Sequence, residues 1–211
     1  MLWIKVCGIT TLPSAVAALR AGANAVGFVF WPGSRRYLEP RRASALSAAL
    51  PPGFGRVGVF VDQLPEQMER VAEVAHLTHL QLHGSEEPEM IPRLSLPVIK
   101  AVRIGGPQDL GQIERYAWVP NCWAVLVEPY LPNVAGGAGL PLDRELARCA
   151  RELAKSFGCR FILSGGLGPE NVAQAVTAVA PDGVDVSSGV ETNGLKDSMK
   201  IFAFVAAVRG F

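Results

Sequence analysis

Short runs of Val, Ile, Leu, Phe and Ala recur along the chain without strict alternation, and each is followed by a stretch whose apolar residues repeat at helical spacing. Strands are predicted near 3–7, 24–30, 56–61, 79–82, 97–102, 123–127, 160–164 and 183–187. Helices are predicted near 12–22, 40–50, 65–75, 87–94, 107–117, 143–157, 169–180 and 197–208. Apolar runs of this kind suit parallel strands buried on both faces. Eight strand–helix units in succession predict an α/β fold, a closed (β/α)8 TIM barrel, rather than an open sheet. No linker divides the chain, so residues 1–211 are read as one domain. Pro88, Pro92 and Pro107 crowd the ends of the fourth and fifth helices, whose limits are therefore the least defined.

In a closed parallel barrel the loops after the strands meet at one mouth and build the active site. Here they are Gly8-Ile9-Thr10, Trp31 to Tyr37, Asp62-Gln63, His83 to Glu86, Arg103 to Gly106, Glu128 to Gly139, Gly165-Gly166 and Ser187-Ser188-Gly189. Cys7 ends the first strand, either as a buried thiol or as a general base. Lys5, two residues earlier, shares its face and is either an interior charge or an electrostatic partner for the thiol. Arg35 and Arg36 are either solvated or, through one guanidinium, an anchor for an anionic substrate. Glu128 follows Val125-Leu126-Val127 and is either barrel rim or an acid whose pKa partial burial raises. Asp185, inside an apolar strand, needs a partner or a ligand. Gly165-Gly166 and Ser188-Gly189, after the last two strands, match the recurrent phosphate site of this fold. Gly136-Gly137-Ala138-Gly139 reads as a flexible lid segment or a plain turn, and Asp143 as the N-cap of the next helix.

The composition narrows the function classes. With 211 residues, 49% apolar and 18% charged, the chain can bury a large core, and a net charge of +1 without a basic tract argues against nucleic acid. No apolar run reaches a membrane span and the N-terminus carries no signal-peptide pattern. Cys7, Cys122, Cys149 and Cys159 form no C-x-x-C pair, which fits a reduced, cytoplasmic setting. His76, His79 and His83 stand close in sequence but project differently, so no metal site is expected.

Taken in order, the motifs resemble phosphoribosylanthranilate isomerase of tryptophan biosynthesis. The likeness is carried by Lys5-Val6-Cys7-Gly8-Ile9-Thr10, Gly27 to Tyr37, Val57-Gly58-Val59-Phe60-Val61, Gln81-Leu82-His83-Gly84 and Val98-Ile99-Lys100-Ala101. It continues through Leu163 to Leu167, Pro169-Glu170-Asn171-Val172 and Asp185 to Glu191. The resemblance implies a cofactor-free Amadori rearrangement of a small phosphorylated substrate, N-(5-phosphoribosyl)anthranilate. It implies Cys7 as base, Arg36 as anchor of the anthranilate carboxylate, and the loops at Gly165-Gly166 and Ser188-Gly189 as phosphate grip. Lys5, His83 and Asp185 join Arg36 as substrate-binding residues, and the expected unit is a monomer or homodimer. One position departs from the family: its acid is usually an Asp ending the sixth strand, and here Glu128 stands there. Ala138 also replaces the usual small hydroxyl residue.

Two other readings are weighed against this one. The analogous sugar isomerisation of histidine biosynthesis resembles a two-Asp catalyst, and Cys7 and Ala101-Val102-Arg103 supply neither carboxylate. A phosphate-binding barrel with weakened catalysis, serving as a binding or assembly subunit, is kept open by the Glu128 departure.

Overall fold

The structure, a computed structural model, describes residues 2–130 and 143–210. Eight parallel strands form a closed ring: β1 (Trp3–Cys7), β2 (Ala25–Val29), β3 (Gly55–Phe60), β4 (His79–Leu82), β5 (Val98–Ile104), β6 (Cys122–Pro129), β7 (Arg160–Leu163) and β8 (Gly183–Val186). The first strand pairs with both its sequence neighbour and the last, which closes the barrel. Around it lie α1 (Leu12–Ala21), α2 (Pro40–Ala48), α3 (Pro65–Ala75), α4 (Gly111–Ala117), α5 (Arg144–Ser156), α6 (Val172–Val179) and α7 (Ser198–Arg209). A short antiparallel hairpin, β9 (Glu191–Thr192) and β10 (Leu195–Lys196), precedes the last helix.

Alternation along the strands sorts side chains into two cores. Val26, Phe28, Phe60, Leu80, Val125, Phe161 and their neighbours face the helices and form the larger outer core. Ala25, Val57, Ile99, Ala101, Ala124, Leu126 and Ile162 form a separate core inside the barrel. Cys7, Val29 and Val59 make a third, smaller apolar cluster. Since strand residues two apart share a face, the same alternation carries Lys5 and Cys7 inward together. Thr11, Asp143 and Asp197 cap α1, α5 and α7 with their side chains, Asp143 as expected from the sequence.

Four elements differ from the sequence expectation. The fourth connection is a 3₁₀ segment over Pro88–Arg93 rather than an α-helix. Pro92 has no N–H to give the Pro88 carbonyl, and its ring crowds that carbonyl, so an α-turn cannot close there. The fifth helix is shortened to Gly111–Ala117, behind a separate 3₁₀ turn at Pro107–Asp109. Finally, β5 and β6 run farther than expected, pairing Arg103 with Glu128 and Ile104 with Pro129. Glu128 therefore sits inside a hydrogen-bonded strand and not in the loop after it. The proposed lid segment Gly136 to Gly139 lies outside the described residues.

Candidate active site

The site begins with an ion pair that joins the two ends of the chain. Lys5 and Asp185 are register partners across β1 and β8, and Lys5 Nζ lies 2.7 Å from Asp185 Oδ1. Both are buried, so the pair is an ion pair held out of water. Asp185 Oδ2 also accepts from Ser164 Oγ at 3.3 Å. Burial opposes the Lys5 charge, but Asp185 and then Cys7 outweigh it and the lysine pKa is raised. Lys5 is thus a fixed interior cation, with Asp185 as its counter-ion.

Cys7 is buried at the mouth end of β1, opposite Gly27 of β2. A Cβ at Gly27 would lie 2.7 Å from the Cys7 sulfur, so the glycine makes the space in which the thiol sits. The sequence suggests a cationic setting that lowers the thiol pKa; in the structure it is raised. Burial is the largest influence and favours the neutral thiol, Asp185 adds to it, and the lowering by Lys5 and Lys196 falls short.

Glu128 shows the opposite correction. Burial alone raises a carboxyl pKa, as the sequence reading assumes, but here the acid is held down at about 2. Burial is the largest single influence, yet His83 and then Arg103 together overcome it. Glu128 Oε1 accepts from His83 Nε2 at 3.0 Å and from Arg103 Nε at 2.8 Å. Behind His83, Gln81 Nε2 lies 2.9 Å from Nδ1 and fixes the ring. With the amide oriented in this way Nδ1 accepts, so Nε2 carries the proton that points at Glu128.

Arg36 reaches the mouth from the second loop and packs over Gly8, which leaves no room there for a side chain. Its Nε and Nη2 grip Glu191 at 2.7 and 3.0 Å. Lys196 Nζ also bonds Glu191 Oε1, at 2.7 Å, and reaches the Ser187 carbonyl at 2.8 Å. Ser187 Oγ in turn donates to the Cys7 carbonyl at 3.3 Å. Burial raises the Glu191 pKa, but Arg36 and Lys196 pull it down on balance; burial likewise dominates at Lys196 and lowers it.

The two glycine loops pack on one another. Gly165 and Gly166 adopt φ of +87° and +62°, which a side chain disfavours, and among the described residues their N–H groups donate to no acceptor. Ser188 and Gly189 open the 3₁₀ turn Ser188–Val190, and Gly189 lies directly against the Leu167 carbonyl. Asn171 ties the first loop together, accepting from Gly168 N and donating to the Gly166 carbonyl.

A sequence model of the family described as N-(5'phosphoribosyl)anthranilate (PRA) isomerase matches residues 4–207 of this chain. The chain belongs to that family. A curated N-(5'-phosphoribosyl)anthranilate isomerase from Symbiobacterium thermophilum is 47% identical, with 99% of each chain covered. The crystal structure of phosphoribosyl anthranilate isomerase from Thermotoga maritima superposes with a TM-score of 0.91 at 40% identity, covering all of both chains. A further structure of the enzyme, in complex with reduced 1-(o-carboxyphenylamino)-1-deoxyribulose 5-phosphate, gives a TM-score of 0.86 at 38% identity, again over the full length of both.

Within the phosphoribosylanthranilate isomerase family frame, the sequence-predicted site residues lie at the strand ends or in the loops after them, except Lys5, which stands mid-strand in β1 beside Asp185 of β8. Lys5 and Asp185 form one contact group, and Glu128 and His83 another. Arg36 meets neither directly; it is tied to the Cys7 end through Glu191, Lys196 and Ser187. Arg35 also touches Glu191 but stays largely in solvent. Five site residues escaped the sequence reading: Gln81, Arg103, Asn171, Glu191 and Lys196. For Lys196 a signal existed, since Asn193-Gly194 marks a tight hairpin that brings it opposite Glu191. His76 caps α3, and His79 at the start of β4 packs edge-on against Trp123 and at a tilt to Trp3.

Proposed function

We propose that this chain isomerises N-(5'-phosphoribosyl)anthranilate to 1-(o-carboxyphenylamino)-1-deoxyribulose 5-phosphate, with Cys7 as general base and Glu128 as general acid. The observation that carries the reading is the pairing of a thiol ending β1 with a buried carboxylate ending β6, at the same mouth as the two glycine loops. The phosphate would be held by the backbone of Gly165-Gly166 and Ser188-Gly189, and the anthranilate carboxylate by Arg36. Glu128 gives a proton to the ribose ring oxygen as the bond from that oxygen to C1′ breaks. The ring nitrogen substituent supplies the electron pair, leaving a protonated Schiff base. Cys7, as thiolate, takes the C2′ proton, and the enolamine so formed tautomerises to the ketone.

The surroundings favour the reverse distribution of protons: burial favours the neutral thiol of Cys7, while His83 and Arg103 favour the ionised carboxyl of Glu128. Glu128 must therefore acquire a proton before it acts. Arg103 and His83 both donate to its Oε1 and hold the carboxyl in place for that step. Lys5 and Lys196 favour the thiolate of Cys7.

The test follows anthranilate fluorescence during turnover of substrate generated in situ. Rapid decay is expected in the wild type. Cys7→Ser and Glu128→Gln should each slow kcat by ~100-fold or more, with KM little changed. Folded wild-type protein that binds the substrate without turnover would remove the enzymatic reading.

A further inference from the structure

Arg36 is held by the protein's own carboxylate before any substrate arrives. A guanidinium offers two bidentate edges, one made by Nε with an Nη and one by the two Nη groups. Glu191 occupies the first edge, with bonds of 2.7 and 3.0 Å from Nε and Nη2. Nη1 makes no hydrogen bond among the described residues, so the second edge is left for another carboxylate. The grip on Glu191 is itself secured from behind. The two-residue turn Asn193-Gly194, with φ of +51° and +79°, folds the chain back so that Lys196 and Glu191 are cross-strand partners. The Lys196 and Glu191 side chains are only 4% and 5% exposed, and Lys196 is further anchored on the Ser187 carbonyl. Counting Arg35, three cations meet this one carboxylate, so the cluster keeps excess positive charge facing an incoming anion.

We infer that Glu191, braced by Lys196 across the Asn193-Gly194 hairpin, is the positioning residue that aims the free edge of Arg36 at the substrate's aromatic carboxylate. The β9–β10 hairpin is then a specificity element for N-aryl substrates bearing that carboxylate. The inference rests on Arg36 as the carboxylate anchor. Glu191 acts as a brace and not as an occupant to be displaced, because it takes the edge that the substrate does not need.

The experiment compares two substrates formed in situ from the ribose 5-phosphate unit, one with anthranilate and one with aniline, which lacks the carboxylate. The quantity read is the ratio of their kcat/KM values. Glu191→Gln should lower that ratio by roughly 10- to 100-fold, through KM for the anthranilate substrate. Glu191→Asp keeps the charge but is too short for the bidentate grip, and should lower the ratio in the same direction, which covers the case of a poorly folding Gln variant. In the Arg36→Met background, Glu191→Gln should lower the ratio no further. Equal losses on both substrates would reduce Glu191 to a structural role, and a tighter KM for the anthranilate substrate would make it an internal competitor; either overturns the inference. If Arg36→Met itself leaves the ratio intact, the anchor reading of Arg36 fails first and the inference with it.

Discussion

Gly27 lies opposite Cys7, and a methyl group there would press on the sulfur at 2.7 Å and on the Cys7 Cα at 3.1 Å. The backbone of Gly27 has no unusual φ, so Gly27→Ala should fold, at a cost of about 1–3 kcal/mol from overpacking. It should nevertheless lower kcat/KM by ~10-fold or more, since the thiol must turn from its place. Near-wild-type kcat/KM in a folded Gly27→Ala variant would count against Cys7 as the base. Glu128 makes a pH prediction. Its pKa falls from 4.5 to about 2 on folding, so it stabilises the fold above the unfolded value and that contribution is lost as pH drops from 4.5 through 2. The stake is on the order of 3 kcal/mol at neutral pH. Glu128→Gln should therefore be less stable than wild type in urea at pH 7 and no less stable near pH 2; a gap independent of pH would show that His83 and Arg103 do not hold the ionised form. At this scale Cys7, Arg36 and Glu128 were legible because each interrupts an apolar run or a glycine loop with chemistry. The ionised state favoured at Glu128 was not. It depends on His83 and Arg103, which meet Glu128 only through strand register.

Among the elements, the connection between β4 and β5 shows how loop shape is held from outside the barrel. Lys100 points away from the interior and donates to Glu86 at 2.7 Å and to the Gly84 carbonyl at 2.6 Å. Glu86 also accepts from the amides of Asp62 and Gly84, and Tyr116 donates to its carbonyl. This buried pair therefore fixes the loop that begins at His83. Removing one partner leaves a buried charge unpaired, so Lys100→Met should cost about 3–5 kcal/mol in urea unfolding. It should also loosen the His83 loop and lower kcat more than it raises KM. A loss below about 1 kcal/mol would mean that water reaches Glu86 and screens it. Apolar runs located all eight strands, and helix limits were good wherever no proline intervened. The misses have local causes: Pro88 and Pro92 spaced four apart, and cross-strand pairing that extends β5 and β6 past their apolar stretches. The Asn193-Gly194 hairpin falls between the last predicted strand and the last predicted helix, where the sequence reading placed no element.

For the whole molecule the decisive step is closure, in which the first strand meets the last. Closure was implied by the count of eight strand–helix units, but the group sitting at the seam was not, because neither Lys5 nor Asp185 names its partner in sequence. The seam is tied again on the outside, where Arg209 at the end of α7 donates to the Leu2 carbonyl and to Asn24. Inside it stands the Lys5–Asp185 pair, an expensive choice, since taking both charges out of water offsets much of their attraction. Lys5→Met alone should destabilise the barrel by about 3–5 kcal/mol, because the Asp185 carboxylate remains buried without its cation. Lys5→Met combined with Asp185→Leu replaces the pair by apolar groups and should recover most of that loss. A stability argument alone would then favour the apolar seam. Cys7 supplies the reason for keeping the charge: Lys5 lowers its pKa more than Asp185 raises it, so the double variant should leave the thiol harder to ionise than in the wild type. Iodoacetamide alkylation of Cys7, followed against pH, should have its midpoint displaced upward in the stable double variant, with turnover displaced in parallel. If the double variant recovers stability while both profiles stay at the wild-type position, the seam pair serves closure alone, and Lys196 is left as the cation that tunes the thiol.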